Sequence, residues 1–205
     1  AEDAEIPVIL YIHGIASCRE TALALSSGFN GHGAILAAID AREHYVRYDP
    51  EATLCENDSY ALAFVDMFDP PGTDERYALT AVDQLAFQRF LEADLDTLLA
   101  ELATEAGLSQ PPHMGTVHYL GHSMGGMLGT LAVSALPNPP AGAFAGSTTG
   151  ASLFSIVFPA LDQGLVREPL AEADLLLYLE MATSMTLAEP ASHAPYVQTD
   201  MLVQA

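Results

Sequence analysis

Apolar positions fall along this chain in two kinds of stretch. The first kind is short and nearly continuous: Val8-Ile9-Leu10-Tyr11-Ile12, Ala34 to Ile39, and Val117-His118-Tyr119-Leu120. Runs of that length without polar alternation are the pattern of strands buried on both faces of a parallel sheet. The second kind has helical spacing. Thr21 to Phe29 reads as a short helix, and Met127 to Leu136 as a helix of small residues. From Thr80, the positions Val82, Leu85, Phe87, Leu91, Leu95, Leu98, Leu99 and Leu102 form a broad apolar face. Asp83 three residues after Thr80 resembles a capping box, and Gly107 is placed to end that helix. Between Asp49 and Glu75 the chain carries eight acids and no Lys or Arg. With the Pro70-Pro71-Gly72 break, that segment reads as a long surface excursion holding at most one short helix. Ala141 to Gly146 reads as a short strand, and Met201 to Gln204 as the start of another. Strand and helix alternate, so the expected class is α/β, a mostly parallel sheet with flanking helices and right-handed crossovers.

Residues 151–188 change the picture in one respect. They hold more apolar surface than two short helices behind a sheet need, including Leu153, Phe154, Phe158, Leu175-Leu176-Leu177 and Leu179. Either a helical cap spans about 151–190, with an apolar underside over a binding site, or these are packing helices of the core or of a dimer interface. No apolar run reaches the roughly 20 residues needed to cross a bilayer, and no signal peptide is expected within the chain.

The 205 residues suit one domain, and half of them are apolar. The charge is one-sided: 27 acids against six Arg, a formal net charge of −21. Such a surface repels nucleic acid and anionic headgroups. It suits either a salt-adapted source or an acidic secreted protein. Cys18 and Cys55 either pair in an oxidising compartment or are two buried thiols. Neither belongs to a Cys/His cluster, and the acidic 49–75 stretch lacks a proper Ca²⁺-loop spacing, so no metal and no cofactor are expected.

The candidate chemistry lies in Gly121-His122-Ser123-Met124-Gly125, a G-x-S-x-G placed after a buried strand and before a helix. In that context the serine sits on a sharp, strained turn as a nucleophile, and residues two before and two after it must lack bulk. The helix opening at Met124 points free N–H groups and its positive end at the reacting centre. Acyl transfer builds negative charge on a carbonyl oxygen, which two backbone donors can hold. The Met124 N–H is one candidate, and Ile15, in the loop after His13-Gly14, is the other. His13 itself reads as a structural residue bonding loop carbonyls rather than as a base. His118 and His122 read as structural, and His44 as a loop residue bonded to backbone.

Residues 8–45 and 116–150 resemble large extracellular bacterial lipases of the α/β-hydrolase superfamily. The resemblance rests on His13-Gly14-Ile15-Ala16-Ser17 with Arg19-Glu20, on Ala38-Ile39-Asp40 followed by His44, and on the Gly-His-Ser-Met-Gly-Gly elbow. It implies carboxylester hydrolysis of lipids or other apolar esters by a secreted or cell-surface enzyme without a cofactor. The chain departs from the pattern after His44, where a Gly is expected and Tyr45 stands.

In the α/β-hydrolase order an acid and then a His follow the nucleophile. Only His193 follows Ser123, with Asp174 and Glu180 as the best-placed acids. The stretch from Ala171 to Leu187 has helical spacing, which would put Glu180 on the side of a helix rather than at a strand end. The expectation is therefore a single catalytic domain over 1–205 that lacks its last strands, with acid and base beyond Ala205; Glu180 or Asp174 with His193 is the compact alternative. A non-catalytic ligand- or partner-binding protein of the same fold, and an acyltransferase or peptidase using the same serine, are the competing functions.

The charge yields a first prediction. A domain carrying −21 repels itself, and screening relieves that repulsion. Thermal melts at low and molar NaCl should show a higher midpoint in salt; an unchanged or lower one would count against it.

Overall fold

The computed structural model describes residues 5–53, 55, 63–66, 69–136, 142, 144–147, 193–198 and 200–204. Five strands make one parallel sheet: β1 Glu5–Ile12, β2 Ile35–Ala38, β3 His113–Gly121, β4 Phe144–Ser147 and β5 Met201–Gln204, in the order β2-β1-β3-β4-β5. Among the described residues, the helices that accompany it include α1 Thr21–Gly31, α2 Pro70–Glu105 and α3 Met124–Ser134. The α/β class, the parallel sheet and the strand at Met201 agree with the sequence reading. The apolar stretch 151–190, where a cap is expected, lies outside the described residues.

Strand parity divides the layers. Val8, Leu10 and Ile12 of β1 point into the main core with Val117 and Tyr119 of β3, where Met127, Leu128 and Leu131 of α3 and Leu91, Leu95 and Leu99 of α2 meet them. Tyr11, on the other face of β1, is also buried, and Thr21 of α1 lies 3.3 Å from its hydroxyl. Helix α3 approaches the sheet closely: a Cβ on Gly129 would lie 2.6 Å from the Phe144 ring of β4.

The long helix departs from the sequence reading at its start and in its face. It begins at Pro70, not Thr80. The Pro70-Pro71-Gly72 stretch is its first turn rather than a break, because proline at the first helical positions loses no hydrogen bond. Asp69 caps it by accepting the Gly72 N–H at 3.0 Å, and any Cβ on Gly72 would collide with that carboxylate. Thr80 and Asp83 therefore form no capping box. Thr80 is buried in mid-helix, and Asp83 takes Arg42 and Arg47. Gly107, at φ +70, does end the helix as expected. The buried stripe is Tyr77, Ala81, Gln84, Gln88, Leu91, Leu95, Leu99 and Ala103, whereas Val82, Leu98 and Leu102 are exposed. Two glutamines thus hold core positions. Gln88 accepts from the Tyr119 hydroxyl and donates to Glu92 at 2.6 Å. Gln84 is 1% exposed, and neither atom of its amide has a hydrogen-bond partner among the described residues.

A buried amide left unsatisfied costs about 1–3 kcal/mol. Gln84→Leu, similar in volume and apolar, is accordingly expected to raise the unfolding free energy by about 1 kcal/mol or more in urea melts. A destabilised variant would mean that the amide is satisfied in the native protein.

Candidate active site

The carboxyl ends of β1 and β3 lie side by side, with Ile12 in register with Gly121. At that point β3 turns sharply into α3. The His122 N–H donates back to the Ile12 carbonyl at 3.0 Å, and the Gly125 N–H to the His122 carbonyl at 2.9 Å. Ser123, between them, has φ 53° and ψ −120°, a conformation that L-residues rarely adopt and that costs on the order of 1–3 kcal/mol. The flanking glycines make the turn possible. A Cβ on Gly121 would lie 2.4 Å from the Gly125 carbonyl oxygen, and one on Gly125 would lie 1.9 Å from that of Ile12. No other residue fits at either place, which is the steric condition expected for a serine elbow. Ser123 is half-buried, and Met124 behind it is buried. Met124 opens α3, so its N–H has no carbonyl one turn earlier in the helix to bond.

The loop after β1 runs past the same point. His13 and Gly14 follow Ile12, and a Cβ on Gly14 would come within 3.0 Å of the His122 ring. Ile15 then enters a turn in which Ala16 has φ +57°. The structure thus brings the Ile15 loop and the Ser123–Met124 turn to one end of the sheet.

His13 is fully buried with both ring nitrogens engaged. Nε2 accepts the Ala41 N–H at 2.9 Å, so Nδ1 carries the proton and donates to the Gly14 carbonyl at 2.8 Å. That is the structural role expected for it, not a base. His44 is equally buried, 5.0 Å from His13 between ring centroids, and its Nδ1 donates to the Arg42 carbonyl at 2.7 Å. Burial lowers the pKa of each to about 4, against the upward pull of the backbone bond each makes. The expected Gly after His44 is replaced by Tyr45 at φ +48°, following Glu43 at φ +55°. Ala16, Glu43, Tyr45 and Ser123 are the non-glycine residues with positive φ among those described. All four lie in segments that leave the carboxyl ends of β1, β2 and β3, the end at which parallel sheets place their binding sites.

His193 is not brought there. Its Nδ1 lies 3.2 Å from the Ser134 hydroxyl, at the last residue of α3. Ser123 precedes the first residue of that helix, so the two ends are separated by about 16 Å at 1.5 Å per residue. His193 and Ser123 therefore cannot form the compact dyad that the sequence left open. Glu180 and Asp174 lie outside the described residues. Sequence reading missed the role of Asp40, whose buried carboxylate accepts the Arg19 N–H and guanidinium, each at 2.7 Å. It left open the Cys18–Cys55 pairing, which forms a disulfide. No spacing signal in the chain announces either contact.

Among solved structures, a highly thermostable carboxyl esterase from Bacillus coagulans in complex with glycerol is similar with a TM-score of 0.52. It shares 11% identity over 98% of this chain and 71% of that chain. A lipase in its open form is similar at 0.50, with 13% identity over 100% of this chain and 72% of that one. No protein-family profile matches the sequence, and no curated protein matches it significantly. The architecture is the α/β-hydrolase fold, shared here with a carboxylesterase and a lipase.

The buried imidazoles generate a pH prediction. Each is neutral when folded and has a pKa near 6.5 when unfolded, so below 6.5 the unfolded chain binds more protons. Stability should then fall as the pH drops from about 6.5 and level off below about 4, by up to roughly 3 kcal/mol per imidazole. Urea melts across that window should show the loss, and His13→Gln, whose amide oxygen can still accept from Ala41, should flatten it. Equal slopes in both proteins would refute the assignment.

Proposed function

We propose that the chain is the nucleophile-bearing part of a serine carboxylester hydrolase, a lipase or esterase acting on apolar acyl esters. The observation that carries the reading is the backbone of Ser123, held in a strained turn between a buried strand and a helix by two glycines that admit no side chain. The Ser123 hydroxyl attacks the ester carbonyl, the alcohol leaves, and water releases the acid from the acyl-enzyme. The Met124 and Ile15 N–H groups hold the oxyanion of both tetrahedral intermediates. The reading calls for no metal or cofactor.

The general base and its acid come from residues beyond Ala205 in this proposal. What favours that over His193 is the contact of its Nδ1 with the Ser134 hydroxyl, at the far end of α3 from Ser123. A secreted or cell-surface location fits the Cys18–Cys55 disulfide, since such bonds persist in oxidising compartments. The surface charge favours an uncharged substrate over a nucleic acid or an anionic one.

Ser123→Ala in the complete gene product should abolish hydrolysis of short p-nitrophenyl esters, by roughly 10⁴-fold or more in kcat, with circular dichroism unchanged. Labelling by an activated organophosphonate should be lost with it. Activity within about tenfold of the parent would sink the nucleophile assignment. A parent protein that neither turns over esters nor takes the label would favour a non-catalytic binding role for the fold.

A further inference from the structure

The segment from His13 to Glu20 is held to the segment that leaves β2 by an unusual number of ties. His13 accepts the Ala41 N–H at one end of it. At the other, Arg19 binds Asp40 through backbone and guanidinium, and that guanidinium also lies 5.8 Å above the Tyr45 ring. The Tyr45 hydroxyl donates to the Glu20 carboxylate, which pushes the phenol pKa up. The covalent tie falls inside the loop: Cys18, fully buried, is joined to Cys55, 37 residues on. Ile15 and Ala16 therefore lie between a hydrogen-bonded anchor at 13 and a covalent anchor at 18.

Ala16 explains why anchors are needed. A non-glycine residue at φ +57° is strained, and such a conformation persists only where its surroundings impose it. Released at Cys18, the turn can relax toward ordinary φ values and carry the flanking peptide groups with it. A donor aimed at a transition state loses most of its value when displaced by about 1 Å.

We propose that the Cys18–Cys55 disulfide is a positioning element of the active site, holding the strained Ile15–Ala16 turn so that the Ile15 N–H meets the oxyanion. The inference rests on the serine hydrolase reading and goes beyond it by making turnover depend on a bond remote from the reacting atoms. A dithiol reductant releases the tie: its two thiols supply two electrons and two protons, the S–S bond breaks to two cysteine thiols, and the reductant closes to its own cyclic disulfide.

The test uses the complete gene product, oxidised, reduced by dithiothreitol, and as the Cys18→Ser/Cys55→Ser double variant, assayed well below its melting temperature. Because oxyanion donors act in the transition state, kcat on p-nitrophenyl butyrate should fall about 10- to 100-fold while KM stays within about threefold. Reoxidation of the reduced wild type should restore kcat, which keeps the test decisive if the variant does not fold. A kcat within about twofold of the oxidised enzyme, with only a lower melting point, would overturn the proposal and leave the bond a plain stability element. If the oxidised protein shows neither turnover nor phosphonate labelling, the hydrolase reading fails instead. Amide exchange then tests the clamp alone. Faster exchange confined to residues 13–20 on reduction supports it, and no change or a uniform rise including α3 overturns it.

Discussion

The geometry at the working end of this fold depends on one close approach, the first turn of α3 lying directly on the last carbonyls of β1. A Cβ on Gly125 would sit 1.9 Å from the Ile12 oxygen, so the approach exists only because nothing is there. Once the helix is that close, the three-residue path from Gly121 to Met124 is too short for relaxed angles. Ser123 takes the strain. Its conformation is thus a consequence of packing between two apolar elements, and it persists because Ile12, Met127 and Leu128 around it are fully buried and cannot yield. The steric demand that sets the serine's backbone comes from the flanking glycines and the helix packed on β1.

The same logic extends to the neighbouring loops. Strain at Ala16, Glu43 and Tyr45 is concentrated at the end of the sheet where Ser123 stands. The buried histidines and the buried carboxylate of the described residues lie there as well: His13, His44 and Asp40 are each nearly inaccessible. Both features cost stability locally, and both are offset by connections within each loop and between the loops. His13 reaches Ala41 and Arg19 reaches Asp40 across the two loops, while Arg47 reaches the Asp40 carbonyl at 2.9 Å within the second. Tyr45 shows the trade most plainly. Glycine would adopt its backbone angle without strain, but glycine has no ring to lie under Arg19 and no hydroxyl to hold Glu20.

What the sequence disclosed follows from the range of each interaction. The strands from Val8 and from Val117 and the elbow at Ser123 are local patterns, in which residue type and neighbours state the geometry outright. The start of α2 was misplaced because Pro-Pro-Gly carries opposite meanings at a helix start and in a loop, and only the Asp69 carboxylate bonded to Gly72 decides between them. Its buried face departs from the leucine pattern, because Gln84 and Gln88 hold buried positions while Leu98 and Leu102 face outward. Buried polar residues are invisible to a periodicity argument. The Arg19–Asp40 pair, the disulfide and the distance between His193 and Ser123 are long-range facts, set by how β1 and β2 lie in the sheet and by the length of α3, and no spacing along the chain encodes them.

The few arginines show how an acidic protein divides its electrostatics. With 27 carboxylates to choose from, Arg42 and Arg47 converge on Asp83, and Arg19 goes to Asp40, whose side chain is fully buried. Burial alone would push the Asp83 carboxyl up, yet the hydrogen bonds and charges of Arg42 and Arg47 hold it below its usual range. Exposed pairs contribute little and fade with salt, whereas a pair with one member out of water is screened far less. The remaining carboxylates repel one another through solvent, and that repulsion is the part that ions remove. Rising ionic strength should therefore relieve the diffuse surface charge without loosening the Arg19–Asp40 tie beside Ser123, because the Asp40 carboxylate lies where counterions do not reach it.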